Sequence, residues 1–241
     1  MMRLSILVPV YNEGASVADV VRRVATVSLG PVEREIVVVN DGSSDGTGAI
    51  LDRLTAEIPA LRVIHHPFNR GKGAGIRTAL AHATGQYIII QDADLEYDPA
   101  DYVRLLEPVV AGAARVVYGV RSFARQHWLL RFGNWFLTLA TNVLYGCRLH
   151  DMETCYKLMP AALVRALRLE CSRFDLEPEI TAKILRSGHR IHEIPIRYAP
   201  RRAKKLSPWR DGLPAVLTLL RYRTWQPAAN ATAPAATEQL G

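Results

Sequence analysis

Apolar residues recur along this chain in two rhythms. Residues 4–10, 35–39, 61–65 and 87–90 are short continuous runs of mainly Ile, Val and Leu, the pattern of strands buried on both faces. Between the first two, residues 17–27 carry apolar side chains at helical spacing, with Arg22 and Arg23 outside. The polar cluster Asn40-Asp41-Gly42-Ser43-Ser44-Asp45-Gly46-Thr47 reads as a turn that starts the next helix. A further helix opens at Asn69-Arg70-Gly71-Lys72 and runs to Ala83, with Gly85 as its stop. Strand, helix, strand, helix at this spacing predicts a parallel, doubly wound α/β sheet.

The second half is less regular. A helix over 98–110 is expected, with Asp98 as its N-cap ahead of Pro99. A strand over 115–120 and an aromatic helix from about 127 follow. After a polar turn around Asp151, helices are expected near 161–167 and 177–186. Residues 190–198 alternate like a strand with one face exposed, and a last helix covers 209–222. Neither repeat nor linker interrupts 1–223, which predicts one domain followed by a disordered tail, 224–241, rich in Ala, Thr and Pro from Gln226.

Composition narrows the class. With 241 residues, 49% hydrophobic and 22% charged, the chain is globular and long enough to bury a full core. Its formal charge of +7 calls for an anionic partner: nucleotide, nucleic acid or membrane surface. Cys147, Cys155 and Cys171 are odd in number and lack C-x-x-C spacing, so free thiols in a reducing, cytoplasmic compartment are expected. The N-terminus runs straight into a strand without a signal-peptide pattern. Residues 128–145 are long enough to span a membrane, but Arg131, Asn134 and Asn142 interrupt them, so an interfacial helix is expected.

The chemistry concentrates at the end of the 87–90 strand, in Gln91-Asp92-Ala93-Asp94-Leu95-Glu96. Ligands of open α/β sheets bind beyond the carboxyl ends of the strands. Carboxylates at period two on an extended segment point the same way and can converge on one hard cation, Mg²⁺ or Mn²⁺, whose other ligands come from water and substrate phosphates. The competing role, capping the helix that Pro99 opens, suits Asp98. Asp41, among small residues, can accept from a nucleobase N–H or a ribose hydroxyl, or act as a helix cap. Pro9-Val10-Tyr11-Asn12-Glu13 belongs on the same rim, with Glu13 either a ribose ligand or a first-turn helix acid. The glycine loop is no P-loop, since no Ser or Thr follows Lys72, and Gly71, Gly73 and Gly75 lack the dinucleotide spacing. Arg70 and Lys72 at a helix N-terminus still suit a diphosphate.

These motifs together, Pro9 to Glu13, Asn40 to Thr47, Asn69 to Gly73 and Asp92-Ala93-Asp94, resemble the family 2 glycosyltransferases. The likeness continues through Asp151-Met152-Glu153-Thr154-Cys155-Tyr156-Lys157 and residues 174–179, covering about 3–223. The branch resembled is that of the polyprenyl- and dolichyl-phosphate sugar synthases. The resemblance implies a GT-A fold, a Rossmann-like sandwich with a mainly parallel central sheet. It also implies Mg²⁺- or Mn²⁺-dependent, inverting transfer of mannose, or next glucose, from a GDP- or UDP-linked donor to a polyprenyl phosphate. By the same resemblance Pro9, Glu13 and Asp41 match positions that hold the nucleoside, Asp92 one near the donor phosphates, and Asp94 and Glu96 the metal ligands; Tyr11, Lys72, Lys204 and Lys205 are further candidates for contact with the donor. Arg121 and Arg131 resemble arginines facing donor and acceptor phosphates. The surroundings of Arg121, Gly119-Val120-Arg121-Ser122-Phe123, depart from the usual form, and the basic loop at 201–205 is shorter than its counterpart. The family's membrane-spanning C-terminal helices are missing, as in its soluble members.

A lipid phosphate attacks as an anion and needs no strong base. A sugar hydroxyl acceptor would need one, from Asp151 or Glu153, unless these only build a polar turn. Nucleic acid is not expected, because the arginines lack an interleaved aromatic platform and the acids repel a phosphate backbone. An anionic membrane surface is expected. From 197 to 223 eight Lys or Arg face the single acid Asp211, and Trp128, Leu129, Phe132, Trp135 and Phe136 suit the headgroup boundary. That places the protein peripherally on the inner face of the membrane.

Overall fold

The computed structural model describes residues 1–122, 128–173, 175–200 and 208–227. One seven-stranded sheet organises them, in the order β3-β2-β1-β4-β6-β5-β7. Strands β1 (Arg3–Val10), β2 (Glu33–Asn40), β3 (Leu61–His65) and β4 (Tyr87–Ile90) are mutually parallel, with Ile6 level with both Ile36 and Ile89. The apolar runs of β1, β2 and β4 are largely buried because helices cover both sides, whereas the edge strand β3 buries Leu61 and leaves Arg62 and His65 exposed. Helix α1 (Val17–Thr26) seats Val17, Val20, Val21 and Val24 on the sheet. Helices α2 (Thr47–Glu57) and α3 (Lys72–His82) complete the first half.

The second half departs from the parallel pattern. Helix α4 (Tyr102–Val110) follows a short 3-10 turn that Asp98 caps, its Oδ1 accepting from the Ala100 N–H at 3.0 Å. Strand β6 (Lys157–Pro160) inserts antiparallel between β4 and β5 (Val116–Arg121), and β7 (Ile191–Ile196) closes the edge parallel to β5. β6 was invisible in the sequence, since four residues bounded by a lysine and a proline carry no strand period. Helices α6 (Ala161–Ala166) and α7 (Leu176–Arg186) lie between β6 and β7. The expected stop at Gly85 is corrected: α3 ends at His82, with Ala83 already extended. Gly85 is required because a Cβ there would lie 2.6–2.8 Å from Ser5 and the Arg3 carbonyl.

Helices α5 (Trp128–Tyr145) and α8 (Pro208–Tyr222) pack on each other and on α7, around Leu137, Met152, Ala215 and Leu219. Their outer faces are apolar. Trp128, Phe132, Trp135, Phe136, Leu139 and Val143 form an exposed stripe along α5, beside exposed Leu213, Leu217 and Leu220 on α8. Among the described residues no helix is long and apolar enough to cross a membrane. The start of the expected disordered tail is also corrected. Trp225 packs against the core and its carbonyl accepts from Arg186 Nε at 3.1 Å, which orders the chain there. Residues 228–241 lie outside the described residues.

Candidate active site

The loops after β1, β2, β3 and β4 meet at one end of the sheet, beside the point between β1 and β4 where strand order reverses. Side chains fasten each loop to the next. Asn12, in the left-handed region at φ 51°, donates its N–H to Ser43 Oγ (2.9 Å) and accepts from the Ser44 N–H (2.8 Å). The Gly14 N–H donates to Asp45 Oδ2 (3.0 Å). The Glu13 carbonyl accepts the first N–H groups of α1, and Ser16 Oγ lies 2.9 Å from Glu13 Oε2 and 2.7 Å from the Ala93 carbonyl. Glu13 therefore serves the helix start and links it to the acidic motif. Tyr11 is exposed on this rim, whereas Pro9 packs against α3 where a Cβ on Gly75 would lie 3.3 Å away.

Asp41 is buried and turned to the protein rather than to solvent. Its carboxylate accepts from the N–H groups of Arg70 (2.9 Å) and Gly71 (2.7 Å) and lies 2.7 Å from His66 Nδ1. It is a latch for the glycine loop, not the helix cap; the N-cap of α2 is Gly46, and Asp45 just before it accepts from the Thr47 N–H (3.1 Å). The loop itself is shaped by segment 171–173. A Cβ on Gly71 or Gly73 would lie 2.2 Å from the carbonyl of Ser172 or Cys171, and the Gly73 N–H donates to Ser172 (2.9 Å).

Lys72 likewise meets protein groups. Its Nζ bridges Asp92 and Glu177, 2.8 Å from each. Burial pulls its pKa down, but Asp92 and Glu177 outweigh that and hold it well above the usual lysine value. Burial pushes Asp92 up, and Lys72 overrides it to leave Asp92 lowered. A buried lysine must find such partners, and here it orients Asp92.

The acidic motif is a turn, which corrects the extended geometry expected from its spacing. Leu95 sits at φ 61°, so side chains of 92, 94 and 96 do not share a strand face. Asp94 Oδ1 accepts from the Glu96 N–H (3.2 Å), and buried Glu96 accepts from the Tyr198 hydroxyl (2.7 Å). Among the described residues no three His, Cys, Asp or Glu groups gather as a metal cage. Two hard carboxylates on a turn fit a Mg²⁺ or Mn²⁺ that takes its other ligands from a diphosphate and water.

Asp151 is paired within the protein. It is fully buried, and Arg121 donates to it from Nε (2.7 Å), Nη2 (2.8 Å) and its backbone N–H (3.0 Å). Glu193 holds the turn from behind, accepting from the His150 N–H at 2.8 Å. Arg121 is buried too, its guanidinium 5.3 Å from the Tyr198 ring centre. Glu153 lies in the same turn. Burial, then Glu177, push it up to about 7, and its Oε1 has no hydrogen-bond partner among the described residues. Beneath it the fully buried Lys157 donates to the carbonyls of Met152 (2.9 Å) and Thr154.

Arg131 is exposed on α5, and no contact joins it to this cluster among the described residues. Lys204 and Lys205, with the rest of 201–207, and Phe174 lie outside the described residues. Three participants carried no sequence role. Glu177 was readable only as a first-turn helix acid, His66 as one of a histidine pair, and Tyr198 as the end of an edge strand.

The fold is that of a glycosyltransferase of GT-A type. The glycosyl transferase family 2 model matches residues 5–166, and the chain belongs to that family. It is 30% identical over 213 residues to an undecaprenyl-phosphate mannosyltransferase of Micrococcus luteus, covering 83% of this chain and 85% of that one. A dodecaprenyl-phosphate galacturonate synthase of Rhizobium johnstonii is 27% identical over 203 residues, covering 83% of this chain and 60% of its own. The chain spans 49% of the length of a further relative from Mycobacterium tuberculosis, 34% identical over 168 residues. Among solved structures, glucosyl-3-phosphoglycerate synthase from Mycobacterium tuberculosis, in complex with Mn²⁺, UDP and glucosyl-3-phosphoglycerate, superposes with a TM-score of 0.75 at 20% identity, over 95% of this chain and 82% of that one.

Proposed function

We propose that this protein transfers a hexose, mannose first and glucose next, from a GDP- or UDP-linked donor to a polyprenyl phosphate at an anionic membrane surface. The observation that carries the lipid acceptor is the outward-facing apolar stripe of α5 and α8 on a GT-A domain. The names of the polyprenyl-phosphate relatives support it. Asp94 and Glu96 would hold a Mg²⁺ or Mn²⁺, which when bound would supply positive charge to the leaving nucleoside diphosphate. Neighbouring structures with Mn²⁺ or Mg²⁺ and UDP support that use of metal.

The chain's own residues supply position and field. Asp41 and Glu13 hold the two loops that flank the nucleoside pocket. Lys72 orients Asp92 at the donor phosphates. Arg121, fixed by Asp151, adds positive charge that needs no reorganisation during the reaction. An acceptor phosphate oxygen forms the new bond to the anomeric carbon while the bond to the diphosphate breaks, with inversion. That oxygen is already ionised, so no proton moves and positioning carries the rate.

A second reading, a hydroxyl on a soluble acceptor, is favoured by Glu153. A carboxylate near pH 7 with an unsatisfied oxygen suits a general base. The test is a screen of GDP- and UDP-sugars with Mn²⁺ against undecaprenyl phosphate and, separately, 3-phosphoglycerate. Sugar recovered in the organic phase supports the lipid reading. Product found only in the aqueous phase supports the second.

A further inference from the structure

A short strap leaves β7 and lies along the acidic motif. The Ala199 N–H donates to the Glu96 carbonyl at 2.9 Å, and Tyr97 and Tyr198 form an antiparallel bridge. The Arg197 N–H donates to Asp101 Oδ2 at 2.7 Å. On this strap Tyr198 touches both signs of charge in the site. Its hydroxyl donates to Glu96 at 2.7 Å, and its ring lies under the Arg121 guanidinium and edge-on to Tyr97, 5.4 Å between centres.

From this geometry we infer that Tyr198 is a positioning residue for the metal site, setting the one rotamer in which Glu96 presents its carboxylate beside Asp94. Glutamate loses considerable rotamer freedom when fixed, and ligating carboxylates are themselves held by hydrogen bonds whose loss typically costs 10–100-fold in metal affinity. The strap is also the chain that leads into the basic residues at 201–205, so the same tyrosine ties the metal motif to that segment's root. The inference rests on Asp94 and Glu96 holding the cation.

The probe is Mn²⁺, titrated by the loss of its free-ion electron paramagnetic resonance signal in the presence of saturating UDP. Tyr198→Phe keeps the ring and its contacts with Tyr97 and Arg121 and removes only the hydroxyl. Expected is a loss of roughly tenfold or more in Mn²⁺ affinity, with the metal-free Tm within a few degrees of the parent. In a Glu96→Gln background the same change should have little further effect, because Tyr198 acts through that carboxylate. Unchanged Mn²⁺ affinity in Tyr198→Phe, with Asp94→Asn still abolishing binding, overturns the role of Tyr198 and leaves the metal site standing. Full additivity with Glu96→Gln overturns it too. Binding of Mn²⁺ that survives in Asp94→Asn overturns the metal reading and the inference together.

Discussion

Arg121 and Asp151 form a buried bidentate pair, Nε to Oδ2 at 2.7 Å and Nη2 to Oδ1 at 2.8 Å. Desolvation makes such a pair a poor source of stability, but removing one partner strands the other charge. Asp151→Asn should therefore cost about 3–5 kcal/mol, read by urea denaturation, and should abolish transfer by freeing Arg121. A variant within 0.5 kcal/mol of the parent, roughly the scatter of a neutral surface change, would show that Arg121 finds other partners.

Glu153 gives a pH signature. Its pKa rises from 4.5 to about 7, so between those values the folded protein holds a proton that the unfolded chain has lost. The folded state then binds more protons, and stability must fall as pH rises through that window. The full shift corresponds to about 3 kcal/mol, and partial exposure reduces it to on the order of 1–2. Glu153→Gln should flatten the decline of Tm between pH 5 and pH 8 while leaving the pH 4 value near the parent's. An equally steep decline in the variant would show that another group titrates. If the acceptor is a hydroxyl, the same change should also remove the rise of kcat toward neutral pH.

Asp94→Asn should abolish transfer and metal-dependent donor binding, because a neutral amide is a poor ligand for a hard cation. The fold should persist, since Asp94 lies on a loop, where its carboxylate accepts from the nearby N–H of Glu96. Normal turnover by the purified variant would refute the assignment.

How far the sequence reached can be read residue by residue. The four parallel strands and their helices were legible because each strand is a short, mainly apolar run that stops at a polar turn. Strand β6 was not, being held by pairing with β4 and β5 rather than by any pattern of its own. Site residues were legible as types. Asp41, Lys72 and Asp151 are where a rim requires them, but a sequence cannot say whether a charged group faces a ligand or a neighbour. In all three the structure supplies a partner 25 to 105 residues away, as with His66 for Asp41 and Glu177 for Lys72.

Asp41→Ala tests that distinction. Loss of the latch should raise amide hydrogen exchange at Arg70 and Gly71, whose N–H groups it holds. Donor affinity should fall roughly ten- to a hundredfold, the worth of a charged hydrogen bond, through loosening of the glycine loop. Unchanged exchange with weakened donor binding would assign Asp41 to the nucleoside alone. Unchanged binding would assign it to the fold alone.

The membrane face invites the most direct measurement. Exposed apolar stripes of this size are uncommon on monomeric proteins and mark sites of association. Here Phe132 and Trp135 stack at 5.7 Å on the outer face of α5, and the basic stretch from Arg197 to Arg223 adds positive charge. Each basic side chain near an anionic leaflet contributes about 1 kcal/mol, so four of the eight give about 4 kcal/mol. That is enough for reversible attachment and too little for insertion. The protein should float with phosphatidylglycerol vesicles and not with phosphatidylcholine alone. About 0.5 M salt should release it, because screening shortens the reach of the basic residues. Phe132→Ser with Trp135→Ser should weaken flotation without lowering Tm, as both side chains are already in solvent. If the double variant floats as well as the parent, the stripe is not the contact. If the parent fails to float at low salt, transfer to a soluble acceptor becomes the better reading.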